Sequence, residues 1–265
     1  MKNKINCKNC GTLLSGQFCH KCGEKILGEN DLSIFSIINL SFNTLTNFDS
    51  KFFKTFVSLL LKPGELTIEF INGRRKNYMQ PFQIFVLVNL FFFFFLTSTD
   101  VFRKLPKWYF EEPDIKNKVE LVAKEKGISK SDLALIYDSQ SASLSKSAIA
   151  VIIPFIALML LLLNLRKKIF FGMHLVFATH FLSFLMLFMV LLSFLFSLVT
   201  VSGKYFNQVP ILLAMIIYLV FSQKNFYKDG YGWSIVKSIL GTALILLVIL
   251  IYRDLVSWVS LYLIS

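Results

Sequence analysis

Apolar residues gather in five blocks separated by polar or cationic stretches, at 81–97, 148–165, 175–201, 209–222 and 235–252. That alternation predicts a chain that crosses a bilayer several times. A helix needs about 20 apolar residues to span the hydrocarbon layer, and about 17 is the lower end. The first block sits at that end and contains five consecutive phenylalanines, Phe91 to Phe95. The third is longer than a span requires and predicts a tilted or projecting helix. The fourth is short, with Asn207 and Gln208 available to extend it.

Outside the blocks the pattern changes. Over Asp31 to Lys62 apolar residues recur at Ile34, Ile38, Phe42, Leu45, Phe52, Phe56 and Leu59, while serine, asparagine and lysine fill the other face. Steps of three, four or seven hold one side of a helix. Such a helix either lies in the membrane interface with its apolar stripe in lipid or packs on the bundle or on another copy. Pro63-Gly64 ends it. The longest polar stretch, 98–147, predicts an external helical hairpin. One helix over Asp114–Lys126 stops at Gly127, and a second is capped by Ser129 and runs through Tyr137. Nine basic and eight acidic residues nearly balance there, without a catalytic constellation. The amphipathic tail Leu255 to Ile264, with Trp258 and Tyr262, is expected at the outer interface, a partial sixth insertion staying open.

Composition agrees with the pattern. Of 265 residues 55% are hydrophobic and 17% charged, against about a quarter charged in soluble domains, and the mean hydropathy is +0.62. The expected fold is an all-α integral membrane protein of about five transmembrane helices with a small N-terminal zinc ribbon built on four cysteines. A net charge of +12 would point to nucleic acid in a soluble chain. Here the excess sits beside the apolar blocks, so the bilayer and its anionic headgroups are the expected partners and nucleic acid is not. Gly73-Arg74-Arg75-Lys76-Asn77-Tyr78-Met79-Gln80-Pro81 precedes the first block, and Arg166, Lys167, Lys168, Lys224, Lys228 and Lys237 fall in alternate connections. Lys204 stands alone in the remaining one. Retention of cations on the cytoplasmic side then predicts a bacterial cytoplasmic membrane protein with its N-terminus inside and its C-terminus outside. The basic start leads into cysteines, not an apolar core, and does not read as a signal peptide. Three regions follow: a cytosolic ribbon at 1–30, an amphipathic helix and basic junction at 31–80, and a transmembrane domain at 81–265.

The 4 cysteines of the chain form two copies of C-x-x-C-G, Cys7–Gly11 and Cys19–Gly23, eight residues apart. Two such knuckles present four thiolates to a tetrahedral Zn²⁺, and glycine after each pair permits the turn around the metal. Cys7, Cys10, Cys19 and Cys22 are the predicted ligands. His20 is surplus to a filled shell, and Lys8 and Lys21 offset its negative charge. With only Leu13, Leu14 and Phe18 as cover, the module depends on metal binding, about 10–16 kcal/mol in zinc-finger peptides, for its fold. A redox C-x-x-C lacks its βαβ setting here. Because zinc ribbons serve as adaptor surfaces, a cytosolic protein partner is expected through this module.

In the membrane, ionisable residues are functional candidates. His174 and His180 are six apart, roughly 120° around a helix, and cannot chelate from one face. Equally, they read as an interfacial His174 and a bundle-facing His180 bonded to a neighbouring helix. No Asp or Glu occurs from Ser139 to Lys228, and no G-x-S-x-G, P-loop or EF-hand pattern is present. The case for an enzyme is weak. Two functions remain: a non-enzymatic adaptor or scaffold, or lipid handling or small-molecule transport through Arg74, Arg75, Lys76, Tyr78, His174 and His180. Guanidinium forks match phosphate geometry, whereas the bland reading of the cations is anchoring alone.

The ribbon, the junction Gly73–Pro81, the block Ile153-Pro154-Phe155-Ile156-Ala157-Leu158 and the block His174–Phe181 resemble, in this order, the bacterial multi-pass proteins grouped as domain of unknown function 3667. The resemblance covers most of the chain. It implies a zinc-ribbon inner-membrane protein and brings no catalytic residues with it.

Overall fold

The computed structural model describes residues 6–24, 51–96, 101–199 and 204–265. Its main helices are α1 (Phe52–Leu61), α2 (Glu65–Ile71), α3 (Pro81–Phe95), α4 (Pro113–Lys126), α5 (Lys130–Ala148), α6 (Ile152–Leu163), α7 (Phe171–Val199), α8 (Lys204–Asn225) and α9 (Tyr231–Ile264). Among the described residues four helical rods are long and apolar enough to cross a membrane: Lys130–Leu163, Phe171–Ser197, Gln208–Asn225 and Tyr231–Ile264. The chain is an all-α integral membrane protein. The first expected span, α3, is 15 residues long, about 22 Å at 1.5 Å per residue. It starts where Gln80 and Gln83 form a capping box and Pro81 takes the first turn, a position that has no use for an N–H.

α7 is the axis of the bundle. Val176, Phe177, Ala178, Phe181, Leu182, Leu185 and Met186 bury on every side of it, as a helix that is apolar all round must. Ile84, Val88 and Phe92, one turn apart along α3, are wholly buried against it, whereas Leu90, Phe94 and Phe95 face outward. The five apolar helices α3, α6, α7, α8 and α9 alternate in direction, with α3 shorter than the four rods that reach spanning length. At one end Asn225 Nδ2 donates to the Pro63 carbonyl at 3.2 Å and Lys167 pairs with Asp229 at 2.6 Å. At the other, Asn89 Nδ2 donates to the Lys146 carbonyl at 3.5 Å and Tyr252 to the Ser145 carbonyl at 3.1 Å. We call these the cysteine end and the hairpin end.

Two features differ from the expectation. The second helix of the hairpin does not stop near Tyr137 but runs on through Ala148 and a 3-10 turn, Ile149–Val151, into α6. The turn tightens where Pro154 has no N–H to offer the Ala150 carbonyl. Likewise the tail 255–264 does not lie along an interface: it continues α9, a single helix of 34 residues. Its Leu261 and Ile264 bury with Tyr109, Phe110, Val119, Val122, Leu133 and Tyr137 of the hairpin region. One face of the tail is thus taken by protein, while Leu255, Trp258 and Tyr262 stay exposed on the other. Lys104 ties the same layer together, pairing with Glu112 at 2.8 Å and Asp254 at 3.0 Å, while its amide donates to Ser257 Oγ at 3.0 Å.

Of the helix expected over 31–62, residues 31–50 lie outside the described residues. The remainder, α1, buries Thr55, Ser58 and Leu59 and exposes Phe53, Val57 and Leu61. It therefore packs on the protein with one face and presents an apolar face outward with the other. Gly64 joins α1 to α2 at φ 84°, in the left-handed region that favours glycine.

Candidate functional site

Two matching knuckles build the cysteine cluster. In the first, the Gly11 amide donates to the Cys7 carbonyl at 2.8 Å and the Cys7 amide to the Thr12 carbonyl at 2.8 Å. In the second, Gly23 to Cys19 and Cys19 to Glu24 repeat both bonds at 2.7 Å. Gly11 and Gly23 stand at φ 74° and 69°, the left-handed turn each knuckle requires. The bridge Asn6–Leu13 closes the loop. All four sulfurs lie within 4.8 Å of one another, with Cys7 to Cys22 at 3.6 Å and Cys10 to Cys19 at 3.5 Å. A tetrahedron of metal–sulfur bonds near 2.3 Å has edges of about 3.8 Å, so the four thiols can hold one metal ion. The Thr12 hydroxyl and amide pull the Cys10 thiol down to about 6. Cys7, although the Cys10 amide favours its thiolate, is raised to about 11 by burial and the neighbouring thiols. Four thiols so close cannot all ionise without a cation among them.

The basic junction is where this module meets the helices. The Lys76 amide donates to Glu24 Oε2 at 3.1 Å, and Asn77 Nδ2 to Asn9 Oδ1 at 3.0 Å. Burial raises the Glu24 carboxyl above its ordinary value despite the amides and charges of Arg75 and Lys76. Arg74 forms a two-pronged pair with Glu69, its Nε donating at 2.7 Å. That pairing holds the Glu69 carboxyl below the usual range. Arg75 is buried, donates from Nε to the Phe70 carbonyl at 3.2 Å and lies over the Phe70 ring at 4.1 Å. Tyr78 donates to Glu65 at 3.4 Å beneath Lys54. Glu69, five residues before Arg74 across the Asn72-Gly73 turn, was the available signal for this pairing.

The two histidines face different neighbours. His174 Nδ1 lies 2.8 Å from the Tyr227 hydroxyl, and His180 Nδ1 lies 2.9 Å from Thr67 Oγ1 of α2. Both are buried; His180 ties α7 to α2, and His174 ties it to the connection between α8 and α9. Sequence reasoning missed a polar cluster between them and the turn before α9. Asp229, with its side chain 3% exposed, accepts from Lys167 Nζ at 2.6 Å and from Lys237 Nζ at 2.8 Å. Lys237 also donates to Asn164 Oδ1 at 2.8 Å, and Asn164 Nδ2 to the Leu160 carbonyl at 3.0 Å. Burial alone would raise the Asp229 carboxyl, yet the two ammonium groups outweigh it and hold the group below its ordinary value. A lone lysine one and a half turns into an apolar helix demands a counter-ion, and the acid just ahead of that helix is the place to seek it.

The family model described as protein of unknown function (DUF3667) matches residues 49–93. The match covers 45 of the 265 residues, a likeness confined to that segment. No curated protein and no solved structure matches the chain. The DUF3667 segment takes in α1, α2, the basic junction and most of α3, the part that touches both the cysteine module and α7. The groups it places together are Thr67, Glu69, Arg74, Arg75 and the Lys76 amide, none of which forms a catalytic constellation.

Proposed function

We propose that the protein is a non-enzymatic scaffold of a bacterial cytoplasmic membrane, in which a ribbon holding one structural Zn²⁺ acts as a cytosolic adaptor. The observation that carries this reading is the clamp between ribbon and junction. Glu24 and Asn9 receive hydrogen bonds from Lys76 and Asn77, while Arg74 and Arg75 are engaged by Glu69 and the Phe70 carbonyl. Engaged in that way, the arginines support a brace for the ribbon more than an open headgroup clamp. Four thiolates with no open position suit a closed structural zinc site. On the ribbon Leu13 is 48% exposed and Phe18 59%, too outward to serve as its core and well placed to meet a partner.

Charge supports the orientation. Lys167, Lys228 and the DUF3667 junction share the cysteine end, the side on which cations are retained.

The test has two parts. Full-length protein is expected to contain one zinc per chain by elemental analysis, and Cys10→Ser to contain none. Proximity labelling from the ribbon is then compared for wild type and Leu13→Ser/Phe18→Ser. Loss of a defined set of neighbours with zinc retained supports the adaptor. An unchanged set in both the Cys10→Ser and the Leu13→Ser/Phe18→Ser proteins would refute it.

A further inference from the structure

A groove of about 500 Å³ opens at the cysteine end between the α1–α2 turn and the last turn of α8. Its walls are fixed. Asn225 Nδ2 donates to the Pro63 carbonyl at 3.2 Å, and a side chain at Gly64 would stand 3.5 Å from the Ser222 Cα. Leu61, Ile68 and Phe221 line one part of it, and Lys62, Glu65 and Lys228 another. Leu61 is 74% exposed and Phe221 46%. Phe221 belongs to the stretch of α8 apolar enough to lie within a membrane, which ends at Asn225. Lys228 comes three residues later, at the level of headgroups.

The polar lining is unbalanced. Lys62 Nζ pairs with Glu65 at 3.1 Å, so two lysines against one glutamate leave the charge of Lys228 unmatched within the groove. We propose that the groove binds one anionic glycerophospholipid, its phosphodiester between Lys62 and Lys228 and one acyl chain against Leu61, Ile68 and Phe221. A single phosphodiester neutralises a single surplus charge, and a chain covers apolar side chains that would otherwise meet the headgroup layer. The exposed apolar face of α1, with Phe53 and Val57, continues the surface toward lipid and favours an acyl chain over a soluble phosphate. The site is independent of the metal module and of the adaptor reading.

The test is native mass spectrometry of the full-length protein released from bilayers of equal phosphatidylglycerol and phosphatidylcholine. Lys228 and Lys168 both lie in the left-handed region, at φ 56° and 50°, where asparagine is among the best-tolerated substitutes. Lys228→Asn and Lys168→Asn thus make the same charge change by the same backbone route, one inside the groove and one outside it. Expected is a loss of about fivefold in retained phosphatidylglycerol for Lys228→Asn, which is the roughly 1 kcal/mol carried by one lysine near an anionic surface. Lys168→Asn should stay near wild type. Phe221→Ser, which leaves the charges in place, should also lose the lipid. Equal losses for the two lysine variants would mean diffuse attraction and overturn the proposal. So would wild-type retention that ignores the headgroup, or a stable adduct with glycerol phosphate alone.

Discussion

Replacing Asp229 with asparagine tests whether the ion cluster holds the cysteine end together. The substitution keeps the shape and removes the charge that faces Lys167 and Lys237 at 2.6 and 2.8 Å. The Lys237 side chain is 8% exposed, with only neutral oxygens, that of Asn164 and that of the new amide, left to receive it. Breaking a buried pair from one side costs about 3–5 kcal/mol, most of it the penalty of a stranded charge. For a protein of this size that is on the order of 10 °C in midpoint. Lys237→Met is expected to cost less, because Asp229 keeps Lys167, whose side chain is 31% exposed, and the loss falls on the Asn164 carbonyl. The double variant should be more stable than Asp229→Asn alone. Thermal unfolding in mild detergent, followed by tryptophan fluorescence, reads the effect, since Lys237 Nζ lies 6.0 Å from the Trp233 ring.

The pH dependence of that difference has a fixed sign. The Asp229 carboxyl is held below its ordinary value of 3.8, so its contribution is fully present above that value and is lost as pH falls through the lower, folded one. The midpoint gap between wild type and Asp229→Asn should therefore hold steady from pH 7 to pH 5 and narrow only below about pH 4. A gap under about 2 °C at pH 7 would refute the buried-pair reasoning. Additive single-variant losses in the double variant would do the same.

Substitutions at two further sites probe other buried polar groups. Thr67→Val removes the hydroxyl 2.9 Å from His180 Nδ1 and should cost about 1–3 kcal/mol, the desolvation left by an unmade buried hydrogen bond; Thr67→Ser should be nearly neutral, and equal midpoints for the two would discount the bond. At the hairpin end Arg103, 3% exposed, donates to Asp138 Oδ1 at 2.7 Å and to Ser141 Oγ at 2.9 Å. Asp138→Ala should destabilise more than Arg103→Met, although Asp138 is the more exposed partner, because only the first strands a buried charge; hydrogen exchange over 106–137 with the reverse order would overturn this.

The cysteine cluster was legible because its chemistry is local: two C-x-x-C-G copies fix sulfur, amide and left-handed glycine within a few residues. The apolar blocks gave the order of the apolar helices for a similar reason, since a membrane segment must satisfy its own backbone, but four of them among the described residues, not five, reach spanning length. Element ends were less legible. Hydropathy reports what surrounds a side chain and not whether the helix under it continues, so α5 and the tail of α9 read as separate pieces. The ion cluster was hidden for another reason. Lys237 belongs to a cationic series that explains itself as topology, and its acid sits across the α8–α9 turn, one residue beyond a long stretch without carboxylates.

The same reasoning bears on how the basic junction should be read. From sequence Arg74, Arg75 and Lys76 are three cations awaiting an anion, yet the chain supplies its own acceptors: Glu69 for one, the Phe70 carbonyl for the second and Glu24 for the amide of the third. Two of these acceptors lie on α2 and one on the ribbon, so the junction is a joint before it is a binding surface. The groove inverts that situation, because Lys228 sits beside exposed apolar side chains with one more positive than negative charge in its lining. Cations that the fold has already matched report how the DUF3667 segment is assembled, and the surplus lysine marks where an outside anion has something to neutralise.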